Sequence, residues 1–176
     1  MFPKAHAVAY VINAMRLAYY KVHNPSVYYA AQFSVEYNDF DIESMIKGYE
    51  AVRNRIIEIN DKKFDATNKE SSILECLKVA LEALARGIKF KPIDLYKSDS
   101  MNFVIDEEGN LIPPFRSIDG LGDVVAKKIV EEREKGEYIS IEDLQKRAKV
   151  SSTLIEKMRS MGILDGMAES SQLTLF

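Results

Sequence analysis

Over the first 86 positions apolar side chains return every three to four residues, and only an α-helix gathers such a pattern on one side. Val8, Val11, Ile12, Met15, Tyr19 and Val22 share one face of a helix over 3–23. His6, Tyr10, Asn13, Leu17 and Tyr20 occupy the opposite face, with Arg16 at its edge. Asn24-Pro25 closes this helix and opens a second over 25–34, because Asn caps well and Pro suits the first helical position. A third helix is expected from about Asp41 to Asn60, burying Ile42, Met45, Ile46, Tyr49, Val52, Ile56 and Ile59. A fourth, from about Lys69 to Arg86, uses Ile73, Leu74, Leu77, Leu81 and Leu84 and stops at Gly87.

The texture changes over 88–116. Ile88 to Ile93 reads as extended, and Met101–Ile105 alternates toward Asp106-Glu107-Glu108-Gly109-Asn110, a turn that returns through Leu111-Ile112 to Pro113-Pro114. This is a short hairpin with Gly-Asn turn chemistry. Short helices follow over about 122–134, 140–148 and 151–161, and from Gly166 a flexible tail is expected. The fold class is therefore mainly α with a small β-hairpin.

A hydrophobic content of 47% with 29% charged residues describes a globular chain long enough to bury a core. No stretch approaches the roughly 20 apolar residues of a membrane span, so no membrane partner is expected. Cys76, the single cysteine, excludes an internal disulfide framework and a multi-cysteine zinc site. Lying between Leu74 and Leu77, it reads as a small core residue in a reducing, cytoplasmic setting. The opening Met-Phe-Pro-Lys carries charge where a secretory leader would be apolar, so none is expected. Net charge is −3, distributed as +2 over residues 1–93 and −5 over 94–176. Neither half binds nucleic acid by charge alone, so any such contact must rest on local geometry or a larger neighbour.

The most specific motif runs from Ile118-Asp119-Gly120-Leu121-Gly122 into Asp123-Val124-Val125-Ala126-Lys127-Lys128-Ile129-Val130. An apolar residue, then Gly-apolar-Gly, with Ala four residues after the second glycine, is helix-hairpin-helix spacing. Two glycines permit unusual backbone angles and close approach of a phosphate. The N–H groups opening the next helix, with its dipole, then favour the anion. Gly120, Leu121, Gly122, Lys127 and Lys128 are thus the candidate DNA-binding residues, gripping backbone without reading sequence. The plainer reading is a tight glycine turn between packed helices. Residues 141–164 have the length of a second such unit without its glycines, and read as the packing partner of the first.

Gln172-Leu173-Thr174-Leu175-Phe176 ends a polar tail with an apolar hook that needs a receiving pocket, on a partner or on the protein's own surface. Lys4 and His6 lie on or just before a polar helical face that could meet phosphates or a nucleotide, but on composition alone a solvated face is the better reading. The two histidines, His6 and His23, stand 17 residues apart without nearby carboxylates and form no metal site. No nucleophile-base arrangement and no phosphate loop of the Gly-Lys-Ser/Thr kind is present, so no catalytic centre is expected.

Phe2-Pro3-Lys4-Ala5-His6-Ala7 with its helix, and Lys21-Val22-His23-Asn24-Pro25, resemble the fingers of bacterial C-family replicative DNA polymerases, within them the PolC type of DNA polymerase III alpha subunit. The resemblance continues through Gly87-Ile88-Lys89-Phe90, Asp94-Leu95-Tyr96-Lys97-Ser98-Asp99, Ile112-Pro113-Pro114-Phe115 and Gly120-Leu121-Gly122, and ends in Gln172-Leu173-Thr174-Leu175-Phe176. It covers essentially the whole chain in order. It implies that residues 1–90 are the end of the fingers, with Lys4 and His6 on the nucleotide or template side. Residues 91–165 would be a tandem helix-hairpin-helix unit on primer-template DNA, and 166–176 a tail binding the bacterial sliding clamp (beta) through Gln172, Leu173, Leu175 and Phe176.

The resemblance also implies that the remainder of the polymerase alpha subunit is a partner. The Mg²⁺ ions of nucleotidyl transfer belong to a palm that this chain lacks, and no cofactor is expected in this segment. The chain reads as a C-terminal piece that does not polymerise alone. Two competing functions remain at this point. One is a clamp-associated adaptor without polymerase; the other is a repair-type helix-hairpin-helix protein on branched DNA. A fingers remnant should expose an apolar patch where its missing neighbours belong.

Overall fold

The computed structural model describes residues 3–170, and of Phe64 the backbone only. Its helices are α1 (Lys4–His23), α2 (Pro25–Glu36), α3 (Ile42–Lys47), α4 (Tyr49–Asp61), α5 (Asn68–Ala85), α6 (Asp123–Glu134), α7 (Ile141–Ala148) and α8 (Ser152–Ser160). The strands β1 (Val104–Ile105) and β2 (Leu111–Ile112) form an antiparallel pair, with Val104 opposite Ile112 and Ile105 opposite Leu111. Short 3-10 turns occupy Lys63–Asp65 and Phe115–Ser117.

The helix expected over 41–60 is two helices. Gly48 stands at φ 96°, ψ −164°, a conformation that only glycine adopts readily, and its N–H closes α3 onto the Met45 carbonyl. The break shifts the helical phase. Ile42, Met45, Val52 and Ile59 stay buried, whereas Tyr49 turns outward and Ile46 and Ile56 are half-buried. The fourth expected helix is α5, fixed at its start by a reciprocal cap between Thr67 and Glu70 and stopped by Gly87 at φ 86°. Lys62 and the Thr67 backbone hold the Glu70 carboxyl down to about 2.

The buried residues form one continuous cluster with no interruption near residue 90. Its centre is Phe33 on α2, fully buried, with ring centroids 5.4 Å from Phe90 and 5.3 Å from Phe103, and Phe103 in turn 5.5 Å from Phe40. The expected extended segment at 88–93 docks beside β2: the Lys91 N–H donates to the Leu111 carbonyl at 2.8 Å, and the Leu111 N–H to the Lys89 carbonyl at 2.9 Å. The turn between the strands is closed by the Asp106 carboxylate, which accepts from the Glu108 and Asn110 N–H groups, with Gly109 at φ 82°. α2 also anchors this region from its other side. Ser26 donates to the Gly109 carbonyl at 2.6 Å, and Ser34 Oγ accepts from the Phe103 N–H at 2.9 Å.

α1 differs from every other helix in having no buried residue. Val8, Tyr10, Val11, Met15, Leu17, Tyr19, Tyr20 and Val22 are each more than half exposed. Its last turn is tied down by Lys21 paired with Glu82 at 2.9 Å and by Arg86 donating to the Lys21 carbonyl at 3.2 Å.

The flexible tail expected from Gly166 is ordered against the fold as far as Ser170. The carbonyls of Ala168 and Glu169 accept from the N–H groups of Ile141 and Glu142 at 2.9 and 3.1 Å. These are first-turn donors of α7 that have no partner inside the helix, which is the physical reason the chain settles there. Met167 packs on the core, and Glu169 pairs with Arg159 at 2.9 Å.

Phe33→Ala should cost about 3–5 kcal/mol of stability, read from urea or guanidinium unfolding, because an aromatic ring enclosed on all sides leaves a cavity. The Cys76 thiol, fully buried and pushed up to about 12 by that burial, should react with a thiol reagent only as fast as the chain opens. Rapid stoichiometric labelling of the folded chain would contradict the packing of α5.

Candidate nucleic-acid interface

The hairpin begins where Pro113 and Pro114 end β2 and deliver the 3-10 turn at Phe115–Ser117. Phe115, Ser117 and Ile118 are buried, and Arg116 reaches back to α2, donating to the Ser34 carbonyl at 2.6 Å and the Tyr37 carbonyl at 3.2 Å. The Leu121 N–H then closes on the Ile118 carbonyl at 3.0 Å. Leu121, only 4% exposed, plugs the loop into the core, so this candidate residue offers almost no surface to a ligand and supports the loop from below. The element before the glycines is a single 3-10 turn, shorter than the helix of a full helix-hairpin-helix unit.

The two glycines are not equivalent. Gly120 stands at φ 87°, where a side chain is strained, whereas Gly122 has φ −74°, ψ 155°, open to any residue. The expectation that both need unusual angles is corrected for Gly122. A β-carbon there would meet nothing within 4 Å, so no internal contact requires glycine. Gly122 is nevertheless the N-cap of α6, and no side chain caps that helix. The Val125 N–H donates to the Gly122 carbonyl at 3.0 Å, which leaves the Asp123 and Val124 N–H groups without an acceptor among the described residues, at the positive end of the helix dipole. Asp123 in the same turn offsets part of that potential.

Lys127 is exposed and Lys128 half-buried one turn further along α6, and neither forms an ion pair among the described residues. The cations nearest the hairpin come instead from elsewhere in the sequence. Lys69 of α5 lies 2.5 Å from Asp119 Oδ1, and Lys157 of α8 lies 3.4 Å from Oδ2 and 2.9 Å from the Asp119 carbonyl. The Lys69 hydrogen bond, then the charge of Lys157, hold the Asp119 carboxyl below the usual carboxylate range. A cleft of about 350 Å³ opens here, lined by Asn38, Asp39, Phe40, Lys69, Arg116 and the loop 117–122.

The second unit, α7–turn–α8, has the expected hairpin length, and Lys149 occupies its left-handed position at φ 56°, ψ 40°. Ser151 caps α8, accepting from the Leu154 N–H at 3.4 Å, so this helix start is closed where that of α6 is open. Between the units Arg147 lies 4.5 Å over the Tyr138 ring and donates to the Gly136 carbonyl, while the Tyr138 hydroxyl donates to the Ile129 carbonyl at 2.8 Å.

Lys4 and His6 sit in the exposed first turn of α1, the His6 ring edge-on to Tyr10 at 4.7 Å. Gln172, Leu173, Leu175 and Phe176 lie outside the described residues, as does Phe2. Among the described residues, no three His, Cys, Asp or Glu side chains gather closely enough to hold a metal ion, and no helix is long and apolar enough to cross a membrane.

Residues 87–173 match the family model described as a helix-hairpin-helix motif. Over 176 residues the chain is 52% identical to the DNA polymerase III PolC-type of Listeria monocytogenes, covering all of this chain and 12% of that protein. It is also 52% identical to the PolC-type polymerases of Bacillus subtilis and Lactococcus lactis, spanning 12% and 11% of their lengths. End-to-end identity at this level, with a helix-hairpin-helix motif in the second half, places the chain with the PolC-type DNA polymerase III proteins, of which it represents one segment.

Proposed function

We propose that this chain is the duplex-gripping and fingers-end portion of a replicative DNA-directed DNA polymerase. The observation that carries the reading is the open N-terminus of α6, with a capping glycine that nothing inside the molecule requires, in a chain akin to PolC along its whole length. The Asp123 and Val124 N–H groups, with free space at Gly122, accommodate a phosphate oxygen, and Lys127 and Lys128 add charge one turn away. Such contacts hold the backbone of primer-template DNA and are indifferent to base sequence.

The remaining roles divide along the chain. Residues 1–90 are the end of the fingers, Lys4 and His6 meeting nucleotide or template, and the bare apolar surface of α1 is where the remainder of the alpha subunit packs. That surface favours the polymerase reading over a free-standing adaptor, which would have no neighbour to cover it. Residues 91–165 hold the duplex. The tail, through Gln172, Leu173, Leu175 and Phe176, binds the sliding clamp, and tethering raises the local concentration of DNA ends without tight DNA contacts. The magnesium-borne chemistry belongs to the palm, and in this reading no step of it falls to the present chain.

The two glycines separate binding from stability. Gly120→Ala should cost about 1–2 kcal/mol of stability because it forces a side chain into the left-handed region. Gly122→Ser should leave stability equal or higher by a few tenths of a kcal/mol, since Ser caps a helix slightly better, yet it should weaken duplex DNA binding by occupying the N–H groups. Fluorescence anisotropy with a short duplex, beside thermal unfolding, reads both; full affinity in Gly122→Ser would remove the hairpin from the DNA interface.

Calorimetric titration into purified bacterial sliding clamp should show roughly micromolar binding, as two or three apolar side chains filling a pocket provide. Deleting 172–176 should abolish it, and binding that survives the deletion would refute the tail assignment. The isolated chain should also bind a hydrophobic dye through α1, and a dye-silent monomer would favour the adaptor.

A further inference from the structure

We infer that Lys69 and Lys157 are further DNA-phosphate contacts, held ready at the hairpin by Asp119, so that the duplex site draws on the fingers-side helix α5 as well as on the helix-hairpin-helix unit. The inference rests on the DNA-binding reading above and extends it to residues outside the motif.

Both ammonium groups converge on the residue immediately before Gly120, one on each carboxylate oxygen of Asp119. Two ammonium groups share the one carboxylate of Asp119, so neither is matched by a carboxylate of its own at this point. Lys69, Lys157 and Asp119 have side chains 53%, 36% and 66% exposed, so exchanging a carboxylate oxygen for a phosphate oxygen requires no burial and little rearrangement. Contacts of this exposed kind contribute little to folding.

The position of Lys69 is also unfavourable within its own helix. It falls in the first turn of α5, against the positive end of that helix dipole, where acidic residues are preferred. What compensates it is Asp119, 50 residues further along the chain. Arg116 lines the same cleft, with Nε buried and unpartnered among the described residues. Asp39 and Asp119 are the acidic residues that line the cleft, and Asp123 stands next to it in the first turn of α6. The pairing of Lys69 with Asp119 spans 50 residues, and that of Lys157 with Asp119 spans 38, so the cluster forms only once both halves have folded together.

The test is the salt dependence of binding to a short fluorescent DNA duplex. Removing one ammonium–phosphate pairing should flatten the slope of log affinity against log salt by about 0.9. Lys69→Gln and Lys157→Gln should each do so, the double variant should flatten it about twice as much, and Lys69→Arg should keep the wild-type slope. Asp119→Asn should tighten binding at low salt by freeing both ammonium groups. Lys47→Gln, on the exposed surface of α3, is the control and should change nothing.

If Gly122→Ser weakens binding while the two glutamine variants keep the wild-type slope, Lys69 and Lys157 are struts between the halves and the inference fails, although the hairpin reading stands. A lowered melting temperature with an unchanged slope overturns the inference in the same way. If the wild-type chain does not bind duplex at low salt, both readings fall.

Discussion

The packing of Phe33 against Phe90 and Phe103 is the contact on which the rest of the molecule depends. α2 contributes Phe33 to a ring cluster that the later segment completes, and the same helix offers the carbonyls of Ser34 and Tyr37 to Arg116. Arg116 lies three residues before Asp119, so aromatic packing in the first half fixes where the glycine loop emerges. The first helices and the hairpin unit share one core, and the loop is held from behind by α2 and from beneath by Leu121. On the proposed reading such support would matter, because a loop held in place before its ligand arrives loses little freedom on binding.

The overall charge of the chain is a poor guide to a nucleic-acid surface. Residues 94–176 carry a net −5, yet much of that acid is committed to local structure. Asp106 closes the strand turn, Asp143 and Glu132 meet Arg147, and Glu142 meets Lys146. The proposed grip therefore depends on an open helix end and a few cations placed by folding, while the summed charge stays negative. Contacts of this kind are individually weak and can be broken and remade.

Helices were legible from the sequence wherever apolar spacing coincided with recognisable end signals, as with Asn24-Pro25 between α1 and α2 and Gly87 after α5. The break at Gly48 was not, because the periodicity of the flanking residues continues almost in phase and one glycine's backbone angle decides it. Nor was the exposure of α1, since an apolar stripe specifies a face to be covered and says nothing of whether the cover belongs to the same chain. The Gly-Leu-Gly loop was readable as a motif, but the difference between its glycines required φ and ψ. Lys69 and Lys157 left no sequence signal: they meet at Asp119 only through tertiary folding, and each alone is one more surface lysine.

The docking of residues 168–170 onto the start of α7 gives the tail a mechanical meaning. If the last residues hold a clamp that encircles DNA, tension along the tail passes into the fold at Ala168 and Glu169. Two backbone hydrogen bonds to α7 and the ion pair of Glu169 with Arg159 on α8 stand in its path. The load then falls on the unit proposed to grip the duplex, and the α1 end of the chain is spared. On that reading any tether would be counted from Ser170 and not from Gly166, each residue spanning at most about 3.6 Å. If both proposed contacts hold, an anchor on the gripping unit would keep clamp and duplex in register, and displacement of one would draw the other along the same axis.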